Sequence, residues 1–426
     1  MRWRRTARRK RAASRARPIS LPLVVTALAI AATQSAWSVV VPVMPHYVQQ
    51  FSASAFDLGV VIALFGVGRL AANVPAGMLC RRVDPRWLLM VAVTVVVASM
   101  VATGYAPSLL AVWVLRLVTG LAGGTAITAG MVLIALLADP VHRGRAMSLL
   151  QSMQLVGSSF GLALGGVTYG LGGVRAPFLA CGVLALLVVI VGGPLLLRSA
   201  TPRTAVDEPE PAAAPTQPRL LADRSFLTLC GACFAVFFHR FGGMQATIPL
   251  LAYTIVGMSV TQYGIVQGVI SALGLLLAVP VGILSDRRGR KLPIAAGLLT
   301  AGAVTPLFLL AEAAPAFVAV LATSALAIGI CSPVQSAFVV DLAPPGRPGT
   351  AIGVFRSFGD LAGIIGPLVL GALTDHLGLH AAVLALSGVL LVPGALFALL
   401  ARERRPVPPA DAIPSPVTGG PVSVDP

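Results

Sequence analysis

The segment Gly282-Ile-Leu-Ser-Asp-Arg-Arg-Gly-Arg-Lys291 is a short basic stretch between two long apolar runs. An earlier stretch in the same setting, residues 77–86, has the sequence Gly-Met-Leu-Cys-Arg-Arg-Val-Asp-Pro-Arg. A shift of 205 residues places Gly77 on Gly282 and Arg82 on Arg287. The two stretches therefore indicate that the chain contains an internal repeat.

The same shift holds well beyond the two loops. Chance matches between apolar sequences would favour Leu, Ala and Val, whereas the matching residues here are mostly Gly, Pro and Arg. Further matched pairs are Gly59 with Gly264, Pro75 with Pro280, Leu79 with Leu284, Gly144 with Gly349, Gly161 with Gly366 and Gly166 with Gly371. One register thus runs through two halves, an organisation known from transporters with parallel repeats of six spans.

The composition is that of a membrane protein. Of 426 residues, 57% are hydrophobic and only 11% are charged, whereas soluble domains carry about 25% charged residues. Apolar stretches recur that are long enough to cross a hydrocarbon core of roughly 30 Å. We predict an all-α membrane protein of two six-helix bundles, with spans at 20–44, 55–80, 87–105, 108–138, 145–171, 176–197, 225–252, 260–284, 292–311, 315–341, 348–374 and 380–401.

The domain organisation follows from these spans. A basic tail at 1–19 precedes an N-terminal bundle at 20–198, and a Pro-rich linker at 199–223 precedes a C-terminal bundle at 224–402. Residues 403–426 are Pro-rich and are expected to be disordered. The apolar run after the basic tail resembles a signal peptide, but eleven more apolar segments follow, so we predict an uncleaved first span.

The net charge of +16 does not indicate nucleic-acid binding, because the basic residues lie in the tails and short loops. With twelve spans, 26 of the 31 Lys and Arg residues fall on the side of both termini, and one, Arg175, falls on the other. The positive-inside rule therefore predicts cytoplasmic termini. Arg greatly outnumbers Lys, which favours a GC-rich bacterium and hence a bacterial cell membrane.

The sequence contains no nucleotide-binding P-loop, metal-ligand cluster or nucleophile elbow. This pattern argues against an enzyme, against an ATP-driven pump and against any cofactor or bound metal. Transport by such a chain is expected to run on an ion gradient or on the gradient of the solute itself.

The loop at 282–291 resembles the signature G-x-L-x-D-R-x-G-R-[RK] of the major facilitator superfamily. The matching positions are Gly282, Asp286, Arg287, Gly289, Arg290 and Lys291. In the first-half copy Gly77 and Arg82 match, but Arg81 replaces the acidic residue and Asp84 replaces a Gly. The resemblance covers about 20–402 and implies a rocker-switch carrier, in which such loops couple gate closure to binding. Loss of the acid puts that role in doubt in the first half.

Two glycine-rich helices extend the resemblance. Arg116, followed by Gly120 and Gly124, is similar to the family's fourth-helix signature, whose Arg is linked to proton transfer; a structural salt bridge is the alternative. The fifth span resembles the signature of drug antiporters, with Leu162 in place of its Pro, and packing alone is the alternative for its glycines. The small residues concerned are Gly157, Gly161, Gly165 and Gly166, with Gly366, Pro367 and Gly371 in the repeat.

Ionisable and polar residues deep in a membrane are candidates for function. Asp360 and Arg356 lie four residues apart in span eleven and can pair on one helix face, so Asp360 is either a proton carrier or part of a permanent ion pair. His239 is a second proton candidate, with hydrogen-bonded packing as its alternative. The candidates for a substrate cavity are Arg69, Asn73, Arg240, Gln34, Gln151, Gln245 and Asp57.

Within the family the chain looks most like the twelve-span drug:proton antiporters. We therefore predict a monomeric carrier in the lipid bilayer that exports a small organic molecule in exchange for protons. An importer of a metabolite or sugar and a non-transporting membrane sensor are the alternatives. The excess of buried Arg over Asp favours anionic, zwitterionic or polar neutral substrates over lipophilic cations.

Overall fold

The computed structural model describes residues 21–137, 143–199, 222–343 and 348–402. Within those ranges the chain is helical and forms no strand. The helices are α1 Leu21–Gln49, α2 Ala55–Leu79, α3 Pro85–Gly104, α4 Leu109–Leu137, α5 Arg143–Gly172, α6 Ala176–Leu197, α7 Arg224–Thr254, α8 Val260–Arg288, α9 Lys291–Leu309, α10 Ala314–Leu342, α11 348–377 and α12 379–400. The predicted tails and the linker core at 200–221 lie outside the described residues.

The division between α11 and α12 is at a glycine. An unbroken helix over 53 residues would be about 80 Å long at about 1.5 Å per residue, far more than the roughly 30 Å of a hydrocarbon core. Gly378 has φ 83° and ψ 168°, a conformation open to glycine because it has no Cβ. The described residues therefore form twelve apolar helices that are each long enough to cross the membrane, which confirms the predicted fold class.

The internal repeat is visible in the N-terminal caps of α2 and α8. The Ser54 hydroxyl accepts a hydrogen bond from the Asp57 amide and the Asp57 carboxylate accepts one from the Ser54 amide, which starts α2 with a capping box. Ser259 and Gln262 do the same for α8, 205 residues later. We call the side where α1 begins and α12 ends the terminal side, and the opposite side the far side.

Small residues set the packing within the N-terminal half. Gly120 and Gly124 place α4 against the backbone of α2, and Gly157, Gly161 and Gly165 place α5 against α1. Helices approach closely at such residues, as is usual in membranes. In the C-terminal half, α7 contains a π-helical segment, His239–Thr247, and Gly366 of α11 packs against Phe238 of α7. Each half thereby forms its own bundle.

Candidate functional site

An ion pair joins the two halves near the middle of the helices. The Arg69 guanidinium of α2 lies 3.3 Å from the Asp360 carboxylate of α11, and the two side chains are 27% and 16% exposed. This corrects the pairing expected from sequence spacing, since Asp360 binds Arg69 rather than Arg356. Arg356 lies one turn away on α11 with an exposed side chain. The pair must break or rearrange if α2 and α11 separate here.

Aromatic side chains continue the contact between the halves. Trp37 of α1 stacks on Phe65 of α2 with ring centroids 6.0 Å apart, and it also contacts Phe241 of α7 at 5.6 Å. We call these three residues the aromatic layer. The Arg240 guanidinium lies 5.6 Å from the Trp37 ring centroid, a distance at which a cation is attracted to the ring face.

Two small cavities lie on either side of Trp37 and Phe65, which line both. The far-side cavity has a volume of about 20 Å³ and includes Arg116 of α4 and Gln245 of α7. The other, of about 10 Å³, includes Gln34. Because one water molecule needs roughly 10–15 Å³, neither cavity holds an organic solute in this conformation.

The other predicted polar residues are placed as follows. Asn73 is half-buried on α2, one turn towards the terminal side from Arg69, and Gln151 is exposed on α5. His239 is fully buried, and its Nε2 lies 3.0 Å from the Ser324 hydroxyl of α10. His239 therefore contacts its own half, whereas Asp360 contacts the other half. Asp57 belongs to the capping box of α2, which is a structural role.

On the far side, α2 and α11 are held together by a residue that sequence reasoning missed. The Asp375 carboxylate of α11 accepts hydrogen bonds from the backbone amides of Ala55 and Phe56, at 2.9 and 2.8 Å. These amides open α2, where the helix dipole favours a negative charge. The only sequence signal was an acid close to a span end, where loop residues are common.

The helix backbones also approach closely along this contact. A Cβ added to Gly371 would lie 2.6 Å from the Ala55 carbonyl oxygen, and one added to Gly59 would overlap the carbonyl of Pro367. Gly371 and Pro367 of the predicted packing set therefore lie between the halves. Together with Asp375, these residues close the far side along α2 and α11.

The symmetry-related contact, between α5 and α8, has different chemistry. The Thr261 hydroxyl donates to the Gly166 carbonyl at 2.8 Å, and the Ser159 and Ser271 hydroxyls lie 2.9 Å apart. Gly166 packs directly on Gly264. No described side chain forms an ion pair here, so hydroxyls and glycines hold this contact.

Towards the terminal side the helices diverge. A Cβ added to Gly77 of α2 or to Gly353 of α11 would have no neighbour within 4 Å among the residues that the structure describes. The far side is closed by Asp375 and by Tyr253, whose hydroxyl donates to the Pro42 carbonyl at 2.6 Å. The structure is thus closed on the far side and more open on the terminal side.

The two loop motifs lie on the terminal side and differ in their ion pairs. In the first, Asp84 caps α3 and binds the Arg86 guanidinium at 2.6 Å, and these hydrogen bonds lower the pKa of Asp84. In the second, Gly289 turns the chain with φ 99°, and Arg290 lies 2.6 Å from Asp341 of α10. The side chains of Asp286 and Arg287 lie outside the described residues, and Lys291 begins α9.

The Asp375 contact leads to a prediction about how often the far side is open. We expect Asp375→Ala to increase the population with an open far side by roughly fivefold, because losing a helix cap costs about 1 kcal/mol. The measurement is the alkylation rate of Ile62→Cys, which lines the far-side cavity, in detergent-solubilised protein whose five native cysteines have been replaced.

Asp57→Ala is the matched control, since it removes a cap from the same end of α2 without crossing between the halves. It is expected to leave the alkylation rate within about twofold of the parent, because the capping box lies wholly within α2 and its loss costs about the same free energy whether the far side is open or closed. Equal rates for the two variants would show that Asp375 does not hold the far side closed.

Comparison with known proteins agrees with the helical membrane fold described above. The family model described as Major Facilitator Superfamily matches residues 26–274 and 233–423. The chain is 22% identical to the uncharacterized MFS-type transporter MJ1560 of Methanocaldococcus jannaschii, over 80% of this chain and 88% of that protein. It is 24% identical to multidrug resistance protein MdtH of Aeromonas hydrophila subsp. hydrophila, over 79% and 84%.

A solved structure shows the same fold. It is that of a bacterial homolog to the human lysosomal transporter Spinster, in an inward-facing and unoccupied conformation. The TM-score is 0.79 at 17% identity, over 92% of this chain and all of that one. At this identity the likeness concerns the fold alone.

Proposed function

The chain belongs to the major facilitator superfamily, and on that premise we propose that it exports a small organic molecule in exchange for protons. Family membership makes it a multi-pass membrane transporter and not an enzyme. The names of relatives such as multidrug resistance protein MdtH support export, and the Lys and Arg distribution supports a cytoplasmic terminal side in a bacterial cell membrane.

The observation that carries the proposal of proton coupling is the Arg69–Asp360 ion pair. It is partly exposed, so protons can reach the carboxylate, and it joins the helices that must separate for the far side to open. Protonation of Asp360 removes its charge and weakens the pair. One proton is thereby linked to a change of conformation, which is the requirement of a proton-coupled carrier.

The substrate site is proposed to form on the terminal side of the aromatic layer. Arg69 and Arg240 contribute two positive charges there against the single charge of Asp360, with Gln34 and Asn73 as hydrogen-bonding groups. An anionic or zwitterionic solute compensates this excess. A lipophilic cation would compete with Arg69 for Asp360 and meet two like charges.

Transport into everted membrane vesicles tests both direction and charge preference. With an imposed pH gradient, interior acid, an exporter accumulates its solute, whereas a proton-coupled importer does not. Within a panel of solutes of similar size, we expect carboxylated compounds to be transported roughly tenfold faster than monocations, about 1.4 kcal/mol. If cations are transported fastest, the proposed charge preference is wrong. If no solute in the panel is transported, the membrane-sensor alternative is favoured.

A further inference from the structure

The far-side cavity is small, lined by residues of both halves and mostly apolar. Trp37 and Phe65 close it towards the terminal side, and Val40 and Val61 form part of its wall. Its volume of about 20 Å³ is enough for one water molecule or one ion of similar size. The cavity is therefore too small for the transported solute.

Two residues that line this cavity each have a hydrogen-bond donor without a partner in the part of the chain that the structure describes. Arg116 is 3% exposed and Gln245 is 6% exposed. The Arg116 Nε and the Gln245 Nε2 are both buried without an acceptor among the described residues. Among the described residues, the one hydrogen bond of the Arg116 guanidinium is to the Met100 sulfur, at 3.4 Å, and sulfur is a weak acceptor.

The positive charge of Arg116 also has no ion-pair partner within the described ranges. No carboxylate among the described side chains lies within 4.0 Å of it. The nearby Tyr47 hydroxyl donates its hydrogen to the Thr103 carbonyl, so it supplies no charge. An isolated Arg in the centre of a membrane helix costs about 2.5–3.5 kcal/mol even on insertion scales, and a buried unpaired charge is strongly destabilising.

We propose that the far-side cavity binds one small monovalent anion of halide size. Such an ion accepts hydrogen bonds from both Arg116 and Gln245 and neutralises the guanidinium. Water satisfies the donors but leaves the charge, and a divalent or polyatomic anion exceeds the space. This site is separate from the proposed substrate site and does not depend on the direction of transport.

The position of the two donors gives the ion a second effect. Arg116 belongs to α4 in the N-terminal half, and Gln245 belongs to α7 in the C-terminal half. An anion held between them links the halves on the far side. Bound anion therefore stabilises the conformation with a closed far side, by the general rule that a ligand favours the state that binds it.

Equilibrium binding of radioactive chloride to the purified full-length protein in detergent tests the site, with gluconate as the background anion. We expect saturable binding of about one chloride per chain, displaced by bromide and not by sulfate, whose charge and size do not fit the cavity. Arg116→Gln is expected to remove this binding. Gln245→Leu, which removes one neutral donor, is expected to weaken it about tenfold.

Gln335→Leu is the matched control. Gln335 is 1% exposed and its Nε2 also lacks a partner among the described residues, but it does not line the cavity. The chloride affinity of Gln335→Leu should equal that of the parent. If Arg116→Gln does not fold, Gln245→Leu decides the question with the same readout.

Thermal unfolding supplies an independent measurement. Replacing gluconate by chloride is expected to raise the midpoint of the parent and of Gln335→Leu, and to leave that of Arg116→Gln unchanged. Absence of saturable chloride binding in the parent, or unchanged affinity in Gln245→Leu, would overturn the proposal. An equal thermal shift in all variants would show that chloride acts elsewhere.

Discussion

Asp360→Asn is expected to reduce transport driven by a pH gradient by roughly 100-fold or more, about 2.7 kcal/mol in the coupled step. Asn can still accept a hydrogen bond from Arg69, so the contact between α2 and α11 is kept. It carries no exchangeable carboxyl proton, so the conformational cycle no longer depends on the proton gradient. Exchange of labelled for unlabelled solute at equal pH should continue, and uptake into everted vesicles with and without a gradient measures both.

Arg356→Gln is the control for this experiment, because Arg356 is also charged and lies one turn from Asp360 on the same helix. Its exposed side chain is not the partner of Asp360, so gradient-driven transport should stay within about twofold of the parent. Full coupling in Asp360→Asn would transfer the proton-carrying role to His239.

Gly59→Ala is expected to prevent closure of the far side. The added methyl group would overlap the carbonyl of Pro367 on α11, and both partners are helix backbone that cannot move aside as a side chain does. Overpacking of this kind costs about 1–3 kcal/mol, which lowers the ratio of closed to open protein by roughly 5- to 150-fold. Faster alkylation of Ile62→Cys and loss of transport are the two readouts.

Gly66→Ala is the matched control on the same helix and facing the same neighbour. A Cβ there would lie 3.4 Å from an Ile364 side-chain carbon, which is ordinary van der Waals contact. We expect its transport and its alkylation rate to stay near those of the parent. If Gly59→Ala behaves like Gly66→Ala, the close approach at Pro367 is not needed for closure.

The fold was predictable because each span depends on local composition and length. Hydropathy located all twelve helices, and the 205-residue shift related the two halves before any contact was known. The main difference is α1, predicted over 20–44, which extends to Gln49. Its last residues include Pro45, which is usually a helix breaker, and the polar residues His46 and Gln49. The sequence therefore predicts an earlier end, whereas neighbouring helices stabilise the helix as far as Gln49.

The site was less predictable because it depends on contacts between distant helices. Helical spacing made Arg356 a natural partner for Asp360, but α2 brings Arg69 to it from the other half. The sequence does show opposite charges deep in two different spans, but it does not show which spans are neighbours. Asp375 gave only the weak signal of a span end, and its partners are backbone amides, which no sequence pattern displays.

The unequal contacts between the halves have a mechanical consequence. Hydroxyl and glycine surfaces at α5 and α8 can slide without exposing a charge, whereas α2 and α11 part only when Asp375 and the Arg69–Asp360 pair lose their partners. We therefore expect α5 and α8 to stay close together while α2 and α11 separate when the far side opens. We expect a wedge-shaped opening, with spin labels across α2 and α11 moving apart farther than labels across α5 and α8.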